Sequence, residues 1–162
     1  MEWDTGVVAC SLVASPSSAM FLGEYLHTFD SKNRISIPSK FRKDLGRVVV
    51  VTRGLDHCLY VFARKAWERE AAHYAAQVSG SAASRGLARL FLAGSFESDI
   101  DKAGRVLIPE NLKSFAGLSG RAVIAGVADR VEIWEEGAWK RYTRAIERDA
   151  EALAETASGE SA

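Results

Sequence analysis

The sequence contains an internal duplication that restricts the fold more than any other feature does. The segment "FDSKNRISIP" at 29–38 returns as "IDKAGRVLIP" at 100–109, a shift of 71 residues. Each copy contains the motif Asp-x-x-x-Arg followed by an apolar residue, one further residue and Ile-Pro. Because the match extends well beyond one motif on both sides, the chain is expected to contain two structurally equivalent units.

The residue pattern of each unit predicts secondary-structure elements in the order ββαββ. Alternating apolar residues predict two strands, and a proline then begins a short helix that ends near a glycine. Two runs rich in β-branched residues predict two further strands. A unit of about 45 residues buries too little surface to fold alone and would leave strand edges open. The sequence therefore predicts an α+β protein whose two units share one pseudo-two-fold β-barrel with flanking helices.

Between the units and after the second one, the spacing of apolar residues predicts helices. The first linking helix has an apolar stripe at Trp67, Ala71, Tyr74 and Val78. Residues before Met20 lack this patterning, and we expect a flexible arm or the product of a wrongly assigned start codon. The predicted segments are an extension over 1–19, the first unit over 24–66, linking helices over 67–93, the second unit over 95–138, a helix over 139–155 and a disordered tail over 156–162.

Composition excludes several classes of protein. The chain has 21 basic and 21 acidic residues, so any site for a polyanion must be local or repeated by oligomerisation. No apolar run approaches the roughly 18 residues that a membrane helix needs, which predicts that there is no membrane partner. Cys10 and Cys58 lie in unrelated contexts without metal-ligand spacing. We therefore expect a reducing compartment, no zinc or other metal, and no cofactor.

The repeated motif is typical of a tight turn. An aspartate at its first position can accept hydrogen bonds from backbone N–H groups of the turn, and glycine at its fourth takes the positive φ that closes the turn. Asp101 and Gly104 fit this pattern. In the first copy, Asp30 is followed by Asn33 in place of the glycine, and asparagine also tolerates the left-handed region.

The two arginines of the motif differ in their sequence neighbours. Basic residues surround Arg34, whereas acidic residues surround Arg105, so only the first copy is expected to attract phosphate. The candidate DNA contacts are Arg34, Lys32, Lys40 and Arg42, and the acidic neighbours of the second copy are Glu97, Asp99, Asp101 and Glu110. Arg34 could reach a groove edge or a phosphate, with lysine adding sequence-independent phosphate contact. In the alternative, both arginines are structural and bridge to their own aspartate or across to the other unit.

Three stretches, "MFLGEYLHTFDSKNRISIPSKFR", "RLFLAGSFESDIDKAGRVLIPENL" and "AVIAGVADRVEIWEEGAWKRY", resemble the bacterial MraZ family over residues 20–150. The resemblance implies two SpoVT-AbrB-type half-domains forming an AbrB-like barrel of the double-psi type. It also implies a cytoplasmic, nucleoid-associated transcriptional regulator that assembles into ring-shaped homo-oligomers. Such a regulator binds double-stranded DNA at short tandem repeats in the promoter of the division and cell-wall gene cluster, its own operon included.

Two other functions remain open at this stage. An enzyme is disfavoured because His27, His57 and His73 are predicted in a strand, a loop and a helix without a nucleophile or paired carboxylate nearby in sequence. A protein-interaction ring would use aromatic residues as interface anchors, although packing within the core also explains them. The candidate anchors are Trp67, Tyr74, Trp134 and Trp139.

Overall fold

The computed structural model describes residues 19–159, which form eight strands, five helices and one 3₁₀ turn. The predicted extension over 1–19 lies outside this range except for Ala19. The strands are β1 (Phe21–Thr28), β2 (Arg34–Ser36), β3 (Val48–Arg53), β4 (Leu59–Ala63), β5 (Phe96–Asp99), β6 (Arg105–Leu107), β7 (Arg121–Ala128) and β8 (Arg130–Glu135). The helices are α1 (Ser39–Leu45), α2 (Arg64–Ala75), α3 (Ala82–Ala93), α4 (Glu110–Phe115) and α5 (Glu136–Gly159), and the 3₁₀ turn is Leu55–His57.

The two units exchange strands rather than forming separate sheets. Six antiparallel strands lie in the order β1-β7-β8-β4-β3-β5, and β2 pairs with β6 in a second, two-stranded sheet. The first strand of each unit therefore pairs with the third strand of the other, β1 with β7 and β5 with β3. The fourth strands pair with each other, as do the second strands. This pattern is unchanged when the units are interchanged, so the fold has a pseudo-two-fold axis.

The mixed α+β class and the two repeats agree with the sequence prediction, but the closed barrel is not confirmed. In the described part of the chain, β1 and β5 are the two ends of the six-stranded sheet, and β2 and β6 form their own ladder. One isolated bridge, Ile100 with Val106, connects the end of β5 to β6. Apart from this bridge, the short second strands, three residues each, pair only with each other among the described residues.

Aliphatic side chains from both units form one core between the two sheets and the short helices α1 and α4. Its members with no exposed surface are shared equally between the units: Ile35, Ile37, Val49, Val51, Leu59, Val61, Val106, Ile108, Ala122, Ile124, Val131 and Ile133. In the sheet, Leu59 is registered opposite Ile133, so the units meet directly at the centre. Since about 25 cal/mol of stabilisation comes from each Å² of apolar surface buried, neither unit would keep this contribution by itself.

Helices cover the other face of the large sheet through equivalent aromatic pairs. Phe62 of β4 contacts Trp67 of α2 with ring centroids 5.7 Å apart, and Trp134 of β8 contacts Trp139 of α5 at 5.3 Å. These pairs occupy matching positions in the two units. Because both faces of β3 and β8 are covered, the four central residues of each strand are all buried rather than alternately buried and exposed. The polar residues among them are hydrogen-bonded, Thr52 to the Phe91 carbonyl and Glu132 to Trp134 and Arg130.

Helices α2 and α5 differ from the sequence prediction at both ends, and they begin at Arg64 and Glu136 rather than at 67 and 139. Helix α2 ends at Ala75, so Val78 lies beyond the helix in the following turn and is exposed. Helix α5 continues to Gly159, so residues 156–159 are helical rather than part of the predicted disordered tail. Alanine-rich composition favours this extension, and Thr156 and Ser158 bond to carbonyl groups one turn back. Residues 160–162 of that tail lie outside the described range.

None of the helices within residues 19–159 has the length and hydrophobicity needed to cross a membrane.

Candidate nucleic-acid interface

The first Asp-x-x-x-Arg motif forms a tight turn between β1 and β2, here called turn 1 (Asp30–Arg34). Oδ1 of Asp30 accepts hydrogen bonds from the backbone N–H of Lys32 at 2.8 Å and of Arg34 at 2.9 Å. The Asp30 N–H donates to the Arg34 carbonyl at 2.9 Å, which closes the turn. Asn33 has φ 60°, in the left-handed region. These bonds fix the backbone that carries Lys32 and Arg34.

The second motif forms turn 2 (Asp101–Arg105) between β5 and β6 with the same hydrogen bonds. Oδ1 of Asp101 accepts from the N–H of Ala103 and of Arg105, each at 2.9 Å. Gly104 has φ 79° and occupies the position of Asn33. The two turns are thus two copies of one local structure.

The turns meet in a four-residue ion cluster, the Asp–Arg cluster. Nε of Arg34 lies 2.8 Å from Asp30 and its Nη1 lies 3.8 Å from Asp101. Reciprocally, Nε of Arg105 lies 3.0 Å from Asp101 and its Nη1 lies 3.6 Å from Asp30. Each arginine therefore bridges to its own aspartate and across to the other unit, as the structural alternative expects.

The arginines of this cluster remain reachable from solvent. The Arg34 side chain is 29% exposed and that of Arg105 is 34% exposed. The four ion pairs use Nε and Nη1 of each guanidinium. An arginine has five N–H donors, so a ligand at the surface can still bind to either residue. The different environments that the sequence suggests for Arg34 and Arg105 are not seen in their ion pairs, which are equivalent.

Both aspartates of the cluster are held in the ionised form. The pKa of Asp30 is lowered chiefly by the hydrogen bond from the Arg34 N–H, with the N–H of Lys32 and the Arg34 side chain adding to the effect. The pKa of Asp101 is lowered in the same way, first by the Arg105 N–H and then by the Arg105 side chain. The cluster therefore carries two positive and two negative charges and is neutral by itself.

The other predicted contact residues are not all at turn 1. Lys32 is exposed at the tip of turn 1, and Lys40 is exposed in the first turn of α1. Arg42, also on α1, lies over turn 2 instead, where its guanidinium covers Gly104. Glu110, which the sequence places beside Arg105, lies at turn 1 and accepts a hydrogen bond from Asn33. The contrast between a basic and an acidic copy is therefore smaller in space than along the chain.

Lys113 is a further cation at turn 1 that the sequence analysis missed. It lies on α4 of the second unit, is only 8% exposed, and its Nζ donates to Oδ1 of Asn33 at 2.8 Å. The internal repeat could have pointed to it, because Lys113 is the residue of the second unit that is equivalent to Arg42 at the shift of 71.

The residues considered for an enzyme or for a protein-interaction ring do not belong to turn 1 or turn 2. His27, His57 and His73 lie in β1, the 3₁₀ turn and α2, respectively. Within residues 19–159, no group of three or more potential ligands is placed to hold a metal ion.

The four aromatic residues considered as interface anchors make packing contacts within the chain. Besides the two pairs already described, Tyr74 stacks on Phe91 at 4.4 Å, and Nε1 of Trp139 donates to Glu24 at 2.9 Å. Trp134 is 4% exposed. Core packing therefore accounts for Trp134, and the other three are partly buried by contacts within the chain.

The fold and the paired turns define a class of proteins in which two intertwined ββαββ units present two Asp-x-x-x-Arg turns side by side. Residues 20–90 and 91–160 each match the family described as "MraZ protein, putative antitoxin-like". The chain belongs to the MraZ family, which confirms the resemblance seen in the sequence.

Similar proteins carry one consistent description. The chain is 44% identical over 136 residues to a protein of Carboxydothermus hydrogenoformans named Transcriptional regulator MraZ, covering 84% of this chain and 95% of the relative. Proteins of the same name from Acetivibrio thermocellus and Roseiflexus castenholzii are 41% and 43% identical, with the same coverage. The prediction that the chain is not an enzyme is confirmed by membership of a family whose members are named transcriptional regulators.

Proposed function

We propose that the protein is a sequence-specific, DNA-binding transcriptional regulator. It acts in the cytoplasm, on the nucleoid, at tandem repeats in the promoter of the division and cell-wall gene cluster, its own operon included. The observation that carries this proposal is the exposed cationic tip of turn 1, where Lys32 stands beside Arg34, in a chain whose relatives are named transcriptional regulators. The proposed function requires neither a cofactor nor a metal.

In the proposed interface, Arg34 reads the DNA and lysines bind its backbone. Arg34 is held by two carboxylates yet is 29% exposed, so its planar head is pre-oriented toward the surface. Lys32 and Lys40 are exposed and provide phosphate contacts that do not depend on sequence. In the proposed interface, the role of Arg42 is to pack on turn 2, because its Nε donates to the Ile37 carbonyl at 2.8 Å.

Assembly into a ring supplies the affinity that one protomer lacks. Formal charge is balanced at 21 against 21, and the Asp–Arg cluster is neutral, so a single interface has few uncompensated cations. Several identical interfaces in a ring-shaped homo-oligomer bind adjacent repeats with a large gain in effective concentration. Repeats one helical turn apart, about 10 base pairs, present the same groove face to neighbouring protomers.

Footprinting on the DNA upstream of the protein's own gene tests this function. We expect protection of repeated sites, tighter binding to several repeats than to one, and an affinity that falls steeply as salt rises. A matched fragment with the repeats scrambled serves as the control. Equal binding to both fragments, or affinity independent of salt, contradicts the proposal.

A further inference from the structure

Each turn is held by a cation from the helix of the opposite unit. At turn 1, Nζ of Lys113 on α4 donates to Oδ1 of Asn33 and lies 4.7 Å from the centroid of the Phe29 ring. Lys113 as a whole is buried, with 8% of its surface exposed, and its bond to Asn33 is partly buried. A buried cation needs an acceptor in place of water, and here the Asn33 amide supplies it.

At turn 2 the equivalent helix position is Arg42 on α1, and the contact is of another kind. The Arg42 guanidinium lies so close to Gly104 that a Cβ at that position would overlap it. Its Nε finds an acceptor in the Ile37 carbonyl, at 2.8 Å, rather than in the turn. A flat guanidinium thus packs on a bare backbone, and a residue with a side chain cannot replace the glycine without displacing it.

Backbone hydrogen bonds cross between the units at the same places. The Ile37 N–H donates to the Gly104 carbonyl at 2.8 Å, and the Ile108 N–H donates to the Asn33 carbonyl at 2.9 Å. The residue at the fourth position of each turn is therefore the point at which the opposite unit holds that turn.

The two contacts explain why the duplicated motif differs at this position. At turn 1 the Lys113 ammonium has the Asn33 side-chain oxygen as its acceptor, and the Asn33 amide nitrogen donates to Glu110. At turn 2 the Arg42 guanidinium packs on Gly104, where a side chain would overlap it. Asn33 is therefore matched to Lys113 and Gly104 to Arg42, and exchanging one member without the other disturbs the contact.

We propose that Lys113 is a positioning residue for DNA binding, through which the second unit fixes the turn that carries Lys32 and Arg34. This inference rests on the proposed function. Lys113 is a buried residue whose Nζ is bonded to Asn33, so in this proposal it acts through Asn33 rather than on a phosphate. The pairing of residues 33 and 113 is the specific element of the proposal.

The experiment measures DNA affinity across a salt series, together with the melting temperature, for four variants of the full chain. Lys113→Met is expected to weaken binding about tenfold, the effect of one lost charged hydrogen bond, while the slope of log affinity against log salt stays as in the wild type. Lys113→Arg and Asn33→Gly each lower affinity and melting temperature. The double variant Asn33→Gly/Lys113→Arg reproduces the pairing of turn 2 and is expected to recover most of both losses.

Turn 2 provides the matched control. Gly104→Asn and Arg42→Lys each lower the melting temperature, and the double variant Gly104→Asn/Arg42→Lys, which reproduces the pairing of turn 1, regains it. Their effect on DNA affinity is expected to be smaller than that of the turn 1 variants.

Three results overturn the inference. A slope lowered by about 0.9 in Lys113→Met makes Lys113 a phosphate ligand. A double variant no better than the worse single variant removes the pairing. A wild type that does not bind DNA overturns the proposed function and the positioning role with it, whereas recovery of the melting temperature in the double variant would then still establish the pairing.

Discussion

At the scale of single residues, equivalent positions of the duplicated motif keep the same local bonds but have different partners. Asp30 and Asp101 accept matching backbone hydrogen bonds, and each aspartate also contacts both arginines. The fourth position differs, since Asn33 bonds to Lys113 while Gly104 lies beneath Arg42. Local turn geometry is therefore set by the motif, and the partner is set by the opposite unit.

Gly104 should be far less tolerant of substitution than a glycine in open surroundings. Gly104→Ala is expected to lower the free energy of unfolding by about 1 to 3 kcal/mol, chiefly because alanine is strained at φ 79°, and its Cβ also forces the Arg42 guanidinium to move. Denaturant titration measures the change. Gly120→Ala is the control, since its Cβ would meet nothing within 4 Å among the described residues, and a change below about 0.5 kcal/mol is expected. Equal losses in the two variants would contradict this explanation.

The turns could be predicted from the sequence because their hydrogen bonds connect residues two to four positions apart. The neighbours of the turns could not. Arg42 follows turn 1 in the chain but lies on turn 2, and Glu110 follows turn 2 but lies at turn 1. Exchange of strands between the units carries each short helix to the opposite turn, so charge along the chain is a poor guide to charge in space.

At the scale of elements, both units follow the order ββαββ, and the main deviations lie at helix ends. Helix α5 begins directly after β8, where Glu135 accepts hydrogen bonds from the N–H of Gly137 and of Ala138. Glu136 fixes the same end to β7 through Arg121, whose Nε donates at 2.7 Å. The Glu135 bonds are local, whereas the contact with Arg121 joins residues 15 positions apart. Neither contact is visible in the periodicity that predicts the helix itself.

The contact between α5 and β7 should depend on pH. The hydrogen bond from the Arg121 side chain, followed by that from Lys140, lowers the pKa of Glu136 from 4.5 to about 2. Because the folded-state pKa is depressed, the stabilisation is complete above pH 4.5 and is lost as the pH falls toward 2. The melting temperature of Glu136→Gln should be lower than that of the wild type at neutral pH, and this difference should disappear over that range.

Glu151→Gln, on the exposed part of the same helix, is the control for this titration, and its difference from the wild type should stay small throughout. A gap between Glu136→Gln and the wild type that remains constant down to strongly acid pH would exclude the ion pair as its cause.

At the scale of the whole molecule, the two units form one structure because each supplies strands to the other. The first strand of each unit is paired with the third strand of the other, and the fourth strands are joined at the centre. The sequence predicted this shared core from the small size of each unit. It did not predict the open six-stranded arrangement, because sheet closure depends on tertiary pairing that strand patterns do not specify.

Separated halves should not fold alone. Residues 20–90 and 91–160, the segments that match the family model, are expected to be unfolded by circular dichroism, since β1 and β5 lose their partners. An equimolar mixture should recover sheet signal, and the intact chain should unfold in one cooperative transition. A half that is folded and unfolds cooperatively by itself would contradict the shared core.

The most direct test of the central claim, that turn 1 binds DNA, compares Lys32→Ala with Lys102→Ala. Both lysines are exposed on equivalent turns, and neither side chain belongs to the Asp–Arg cluster. The measurement is the slope of log affinity against log salt on promoter DNA. We predict that Lys32→Ala reduces the steepness by about 0.9 for each bound protomer while Lys102→Ala leaves it nearly unchanged. An unchanged slope in Lys32→Ala, or an equal loss in the two variants, would contradict the account.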